Sequence, residues 1–284
     1  MKTTNISSMS QFYRDRKAQG IEYAAKHISQ LGFDSVEWFE TDHTEHIENA
    51  EYAKNTLEQH GLSVSCYTVL VSLYSPDQGL TEAHMLDHVQ TASALGAKYF
   101  QHTIFPPVSL DGVENTFEEV FDGIIDLAER IARHCNRLGM VCIYEPQGVY
   151  FNGIGGMGKL LEELRNRGCT VGICGDSANS CFVDVAPEDF FKSFAWDIYH
   201  VHVKDVLVSH NEIAADKVRR SIGGAYICGA ELGEGSVDLK DCFEALREVG
   251  YDGAVSFEFG GSDELIRQKQ DYVTQIIKES EQKL

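Results

Sequence analysis

Four strand-like runs end in side chains able to hold a divalent cation: Glu145 in "MVCIYEPQG", Asp176 in "TVGICGDSAN", His202 in "YHVHVKDV" and Glu258 in "GAVSFEFGG". Successive side chains of a strand point to opposite faces. Val141 and Ile143 therefore share a face with Glu145, Gly172 and Cys174 with Asp176, and Ala254 and Ser256 with Glu258. In the fourth run His200, His202 and Lys204 lie on one side, and Tyr199, Val201 and Val203 on the other. Three carboxylates converging without a cation repel one another and are driven toward protonation. Mixed oxygen and nitrogen donors suit Mn²⁺, Co²⁺, Mg²⁺ or Zn²⁺ and exclude the thiolate-rich structural zinc type; Mn²⁺ is the ion expected. A lone carboxylate at a strand end is as readily the cap of the next helix. Four in register make a site.

Other residues could complete such a site. His102 in "YFQHTIFPP" ends a strand and could contact a substrate hydroxyl, or be a neutral core histidine. Glu37 in "SVEWFE" enters the same interior if Trp38 packs outward. Lys204, one pleat beyond His202, is suited to stabilising an enolate oxygen, or to pairing with a neighbouring carboxylate. Arg219 and Arg220 sit in the long glycine-rich connection "KVRRSIGGAYICGAELGEG", where the pair, Arg220 among the pocket residues, could meet a substrate phosphate or carboxylate, or lie unpaired in a solvated loop. His84 and His88 have a helical ligand spacing, but no Glu follows the first, so they read as an exposed helix face.

The elements that must position these residues follow from a repeat. A helix-like segment runs to a glycine and turns into a strand-like run at Gly32, Gly61, Gly96, Gly139, Gly168 and Gly250. Glycine suits the left-handed position that ends a helix. The last spacing, 82 residues, is two units, and Trp196-Asp197 stands at the missing boundary. With a first strand at residues 4–8, eight strands result. Between them, "NTFEEVFDGIIDLAERIARHCNRLG" carries an apolar stripe and a capping box from Thr116 to Glu119, and Asp238 caps "LKDCFEALREVG". Eight strand–helix units with no linker predict a single-domain (β/α)₈ TIM barrel over residues 1–284, its strand ends opening on the active face.

A net charge of −20 disfavours nucleic acid and anionic lipid as partners. The first twenty residues lack the apolar core of a signal peptide, and no apolar run has the length of a membrane span. The expectation is a cytoplasmic protein, open to homo-oligomerisation, with its eight cysteines as reduced core thiols.

The blocks "EPQG", "GDSAN", "HVHVKD" and "LGEGSVDLKDCFEALREVGYDGAVSFE" resemble those of the xylose-isomerase-like TIM-barrel superfamily, sugar and sugar-phosphate isomerases and epimerases, from about "GIEYAAKHISQLGFDSVEWFE" onward. The resemblance implies that Glu145, Asp176, His202 and Glu258 ligate the metal and that the two glutamates also move protons on a small sugar, polyol or sugar phosphate. Where the ketose epimerases carry His three positions after the metal Asp, this chain has Asn179, a pocket residue here along with His200. It also has Lys204-Asp205 where they have Gly-Glu. An inosose-dehydratase-like lyase is the alternative. Apurinic-site endonuclease is a distant one, because the region between the last two barrel strands lacks the Asp-x-His that its zinc cluster requires.

Overall fold

All six boundary glycines adopt the left-handed conformation, with φ from 72° at Gly250 to 87° at Gly32. Each lets the chain leave a helix and enter the sheet. The computed structural model describes residues 5–281. In chain order the strands are β1 (Asn5–Ser8), β2 (Ser35–Glu40), β3 (Ser63–Val69), β4 (Tyr99–His102), β5 (Val141–Tyr144), β6 (Val171–Asp176), β7 (Ile198–Val203), β8 (Asp205–Ser209), β9 (Arg219–Arg220), β10 (Tyr226–Ala230) and β11 (Ala254–Phe257). The helices are α1 (Ser10–Gln30), α2 (Ala50–Gln59), α3 (Gln78–Ala94), α4 (Phe117–Arg137), α5 (Ile154–Asn166), α6 (Pro187–Phe194), α7 (Leu239–Glu248) and α8 (Asp263–Glu281). Strands β1 to β7 and β11 close into a parallel barrel in the order β1-β11-β7-β6-β5-β4-β3-β2. This is the expected (β/α)₈ barrel; of the first strand, Thr4 lies outside the described residues.

The helix signals act as read. Thr116 and Glu119 form a reciprocal capping box on α4, and Asp238 accepts from the Asp241 amide on α7. The main core lies between strands and helices, where Trp38, Tyr67, Phe100 and Tyr144 are buried with the apolar stripes of α1 to α8. Inside the barrel a small second cluster of Cys66, Ile143 and Cys174, flanked by Tyr99, Val141 and Tyr199, fills the floor. All eight cysteines are free thiols. Among the described residues no helix is long and apolar enough to cross a membrane.

Three expectations need correction. Tyr199 stacks on Tyr99 at the barrel floor and is not on the outer face with Val201 and Val203. A register shift between Ile173 and Cys174 pairs Ile198 with the first and His200 with the second, so Tyr199 is the extra residue of a bulge. His88 is fully buried, not exposed: its Nε2 donates to the His43 carbonyl at 2.9 Å and its Nδ1 accepts from the Tyr67 hydroxyl at 2.9 Å. It shares the inner stripe of α3 with Thr81, Met85, Val89 and Ala92, while His84 is half-buried. Burial, which disfavours the charged ring, lowers the His88 pKa to about 4. Third, the glycine-rich connection after β7 forms an antiparallel sheet, β8-β10-β9. Its inner side buries Val206 and Ile227 against Ala178.

Candidate metal centre and active site

The strand ends deliver the four predicted donors to one point. One atom each from Glu145, Asp176, His202 and Glu258 lies within 4.8 Å of all the others. His202 Nδ1 is 3.4 Å from Glu145 Oε1 and 3.2 Å from Glu258 Oε1. Asp176 divides its labour: Oδ1 accepts from the Ala178 and Asn179 amides at 2.9 and 2.6 Å, and Oδ2 is buried with no hydrogen bond. His202 Nδ1 is likewise buried and unbonded. An unbonded imidazole nitrogen facing two carboxylate oxygens, with a third carboxylate beside them, fits a divalent cation with oxygen-rich ligands.

Each donor is held from behind. Glu145 receives Gln101 Nε2 at 2.7 Å on one oxygen and Asn179 Nδ2 at 2.8 Å on the other. His202 Nε2 lies 2.9 and 3.0 Å from the two oxygens of Glu37, which also takes His200 Nε2 at 2.8 Å. Burial favours protonation of Glu37, but the two histidines outweigh it and hold its pKa well below the usual value. An ionised carboxylate only accepts, so His202 Nε2 donates to Glu37 and Nδ1 is left facing the quartet. Thr68, from β3, donates to Glu37 at 2.5 Å. Deeper groupings of Cys174 with His200 and His202, and of Glu37 with Cys66 and His200, also bring three donors close, but Glu37 already engages both histidines.

Lys204 supplies the positive charge next to the quartet. Its Nζ is 2.6 Å from Glu258 Oε2 and 3.8 Å from Glu145 Oε1. It is also 2.9 Å from Asp176 Oδ2, without hydrogen-bond geometry. Burial pushes Asp176 up to about 7 against the pull of Lys204. Burial also works to raise Glu258, yet Lys204 and His202 hold it at about 2. Two carboxylates on one cation thus have opposite tendencies.

The remaining predicted residues divide. Glu37, Asn179 and His200 join the site, His200 as a partner of Glu37 below it. His102 does not: it points to the helix side, packs edge-on against Tyr144 at 5.2 Å, and its Nδ1 lies 2.9 Å from the Thr103 carbonyl. The pocket residue of β4 is Gln101. Arg220 stacks over the Tyr226 ring at 4.2 Å, whereas its neighbour Arg219 lines the cavity beside the quartet.

Sequence reasoning missed Asp205. Its buried carboxylate takes the Gly233 and Gly235 amides at 2.9 and 3.0 Å on Oδ2, and the Val206 and Val237 amides at 2.8 and 3.2 Å on Oδ1. It thereby pins the 231–237 loop to the end of β7. A Cβ on Gly235 would sit 2.1 Å from Asp205 Oδ1, so the loop needs glycine there. The signal was the "KD" of "HVHVKD" beside the glycines of "LGEGSVD".

Known proteins share this architecture. A ketose 3-epimerase of Arthrobacter globiformis is 24% identical over 258 residues, 85% of this chain and 78% of that protein. The structure of an L-ribulose 3-epimerase superposes with a TM-score of 0.77 at 14% identity, covering 99% of this chain and 97% of the other. A xylose isomerase-like TIM barrel protein from Mycobacterium smegmatis in complex with magnesium gives 0.75 at 14% identity, covering 98% of each chain. The family model described as xylose isomerase-like TIM barrel matches residues 25–276, nearly the whole barrel that carries the quartet, and the chain belongs to that family.

Proposed function

We propose that the protein is a metal-dependent isomerase or epimerase of a small sugar, polyol or sugar phosphate, with Glu145, Asp176, His202 and Glu258 holding the cation and Mn²⁺ the preferred ion. The observation that carries this reading is His202 Nδ1, buried without a hydrogen bond and 3.4 and 3.2 Å from oxygens of Glu145 and Glu258, with Asp176 completing the group within 4.8 Å. The ketose 3-epimerase relative and the magnesium-bound neighbour support it. When bound, the cation supplies a Lewis acid that stabilises the negative charge of an enediolate.

The chain's own residues do the rest. Glu258, which Lys204 and His202 keep ionised, takes the proton beside the substrate carbonyl in this reading. Glu145, oriented by Gln101 and Asn179, is placed to return it. The Lys204 ammonium stands where it can donate to the developing oxyanion. Return to the neighbouring carbon gives isomerisation, and return to the opposite face gives epimerisation.

Deuterium incorporation tests the mechanism. A turned-over sugar in D₂O should gain deuterium beside its carbonyl, and Glu145→Gln and Glu258→Gln should each slow turnover by ~10²–10⁴-fold while retaining some metal. Turnover without solvent deuterium means a hydride shift instead. Loss of water from a keto-polyol would assign the inosose-dehydratase-like lyase reading.

A further inference from the structure

A cavity of about 340 Å³ lies between the quartet and the antiparallel cover. Lys204 and Asn179, which touch the quartet, form part of its wall, and Lys217 and Arg219 form another part. None of the described residues lining it is Asp or Glu, although acidic residues outnumber basic ones 44 to 24 in the chain. Neither Lys217 nor Arg219 has an ion-pair partner among the described residues, whereas Arg220 between them and the loop stacks on Tyr226. A chain of −20 repels anions in general, so an anion is drawn only where cations are gathered and left uncompensated.

A second observation in the same cavity is independent of charge. The Gln147 Oε1 and Asn152 Oδ1 atoms are buried and have no hydrogen-bond partner, and Asn152 is only 1% exposed. Buried amide oxygens without partners are costly, and ligand hydroxyls that donate to them relieve the cost. Gly148, between them, has φ 85°, and a Cβ there would sit 1.7 Å from the Phe105 carbonyl oxygen. The turn that presents Gln147 is therefore locked against the loop after β4.

We propose that this cavity is a subsite for an anionic substituent, a phosphate or a carboxylate, carried by a hydroxylated substrate whose carbonyl end reaches the quartet. Lys217 and Arg219 take the charge, and Gln147 and Asn152 take the hydroxyls. The assignment rests on the chelating role proposed for the quartet.

Hydroxamates separate the two ideas, because a hydroxamate chelates a metal as an enediolate does. Mg²⁺-loaded protein is titrated calorimetrically with acetohydroxamate, phosphoglycolohydroxamate and succinic monohydroxamate. Acetohydroxamate should bind, and at least one anionic-tailed analogue should bind about tenfold or more tighter, the better tail naming the anion. The gain should vanish in the Lys217→Ala/Arg219→Ala double variant and shrink with salt, while acetohydroxamate affinity and the Arg220→Ala control stay unchanged. Equal affinity for all three analogues overturns the subsite and leaves the quartet reading intact. If acetohydroxamate does not bind, the chelation reading fails; the subsite is then judged on inorganic phosphate, and it falls unless phosphate binds the wild type and not the double variant.

Discussion

Glu37 grips His202 by Nε2 at 2.9 Å and thereby aims Nδ1 at Glu145 and Glu258. The two residues lie 165 positions apart and meet inside the barrel. Glu37→Gln keeps the shape but removes the acceptor-only character that fixes the ring. Metal affinity should fall about 10–100-fold, read by calorimetric titration with Mn²⁺ on protein whose circular dichroism is unchanged. Wild-type affinity in this variant would remove Glu37 from the metal site's support.

In the proposed reaction Lys204 would work against the cation while serving the chemistry. Its ammonium is 2.9 Å from Asp176 and 2.6 Å from Glu258, so a bound cation feels its repulsion. Lys204→Met should therefore tighten metal binding and at the same time lower turnover. A variant that weakens metal binding would mean that the ammonium organises the carboxylates more than it competes with the ion.

Asp205 should matter to the cover and not to the barrel. Its four amide contacts are lost in Asp205→Ala, at a cost of about 2–4 kcal/mol. Hydrogen exchange should show faster exchange at Gly233, Gly235 and Val237, with the β5 and β6 amides still protected. Uniform loss of protection across the barrel strands would contradict a local role.

His27 bonds Asp15 of its own helix α1, across the break at Gly20, at 2.7 Å and ties α1 to α8 through Asp263 at 3.0 Å. Burial lowers its pKa, but the hydrogen bonds and charges of the two aspartates raise it above the usual 6.5. A raised folded-state pKa stabilises the protonated form, so the contribution is complete below pH 6.5 and is lost as pH rises through the folded value. Urea unfolding of wild type and His27→Gln should diverge most at pH 5.5–6 and converge in the alkaline range. A gap that widens with pH would reverse the sign assigned here.

What could be read in the sequence followed from local rules. The glycines marked helix ends because their conformation is set by the missing Cβ, and alternation phased Glu145, Asp176 and Glu258 with the residues two and four places before them and His202 against the apolar Val201 and Val203. The β4 run had no such mark: it is four residues long, with Gln101 and His102 both polar at its end, and only the outward burial of Phe100 separates them. Tyr199 escaped because a bulge is a relation between two strands, invisible in either alone. His88 escaped because a buried imidazole needs two partners, and its partners Tyr67 and His43 come from distant positions in the chain. The cover sheet was hidden by its glycines, although Tyr226 to Ala230 pairs residue by residue with Asp205 to Ser209.

The joint at Asp205 has a consequence for engineering. Residues 206–230 leave the barrel at Asp205 and return to the amides of Gly233 and Gly235, and the cover is fastened a second time where the Ile222 and Gly223 amides donate to the Phe182 carbonyl and to Asp184. A cassette of different length or charge can be transplanted between these fastenings, keeping Asp205, the two glycines and the Ile222 and Gly223 contacts, without redesigning the residues proposed to hold the cation. Selectivity and chemistry in this barrel then become separable targets for directed evolution, one library confined to the cassette and the other to the strand ends.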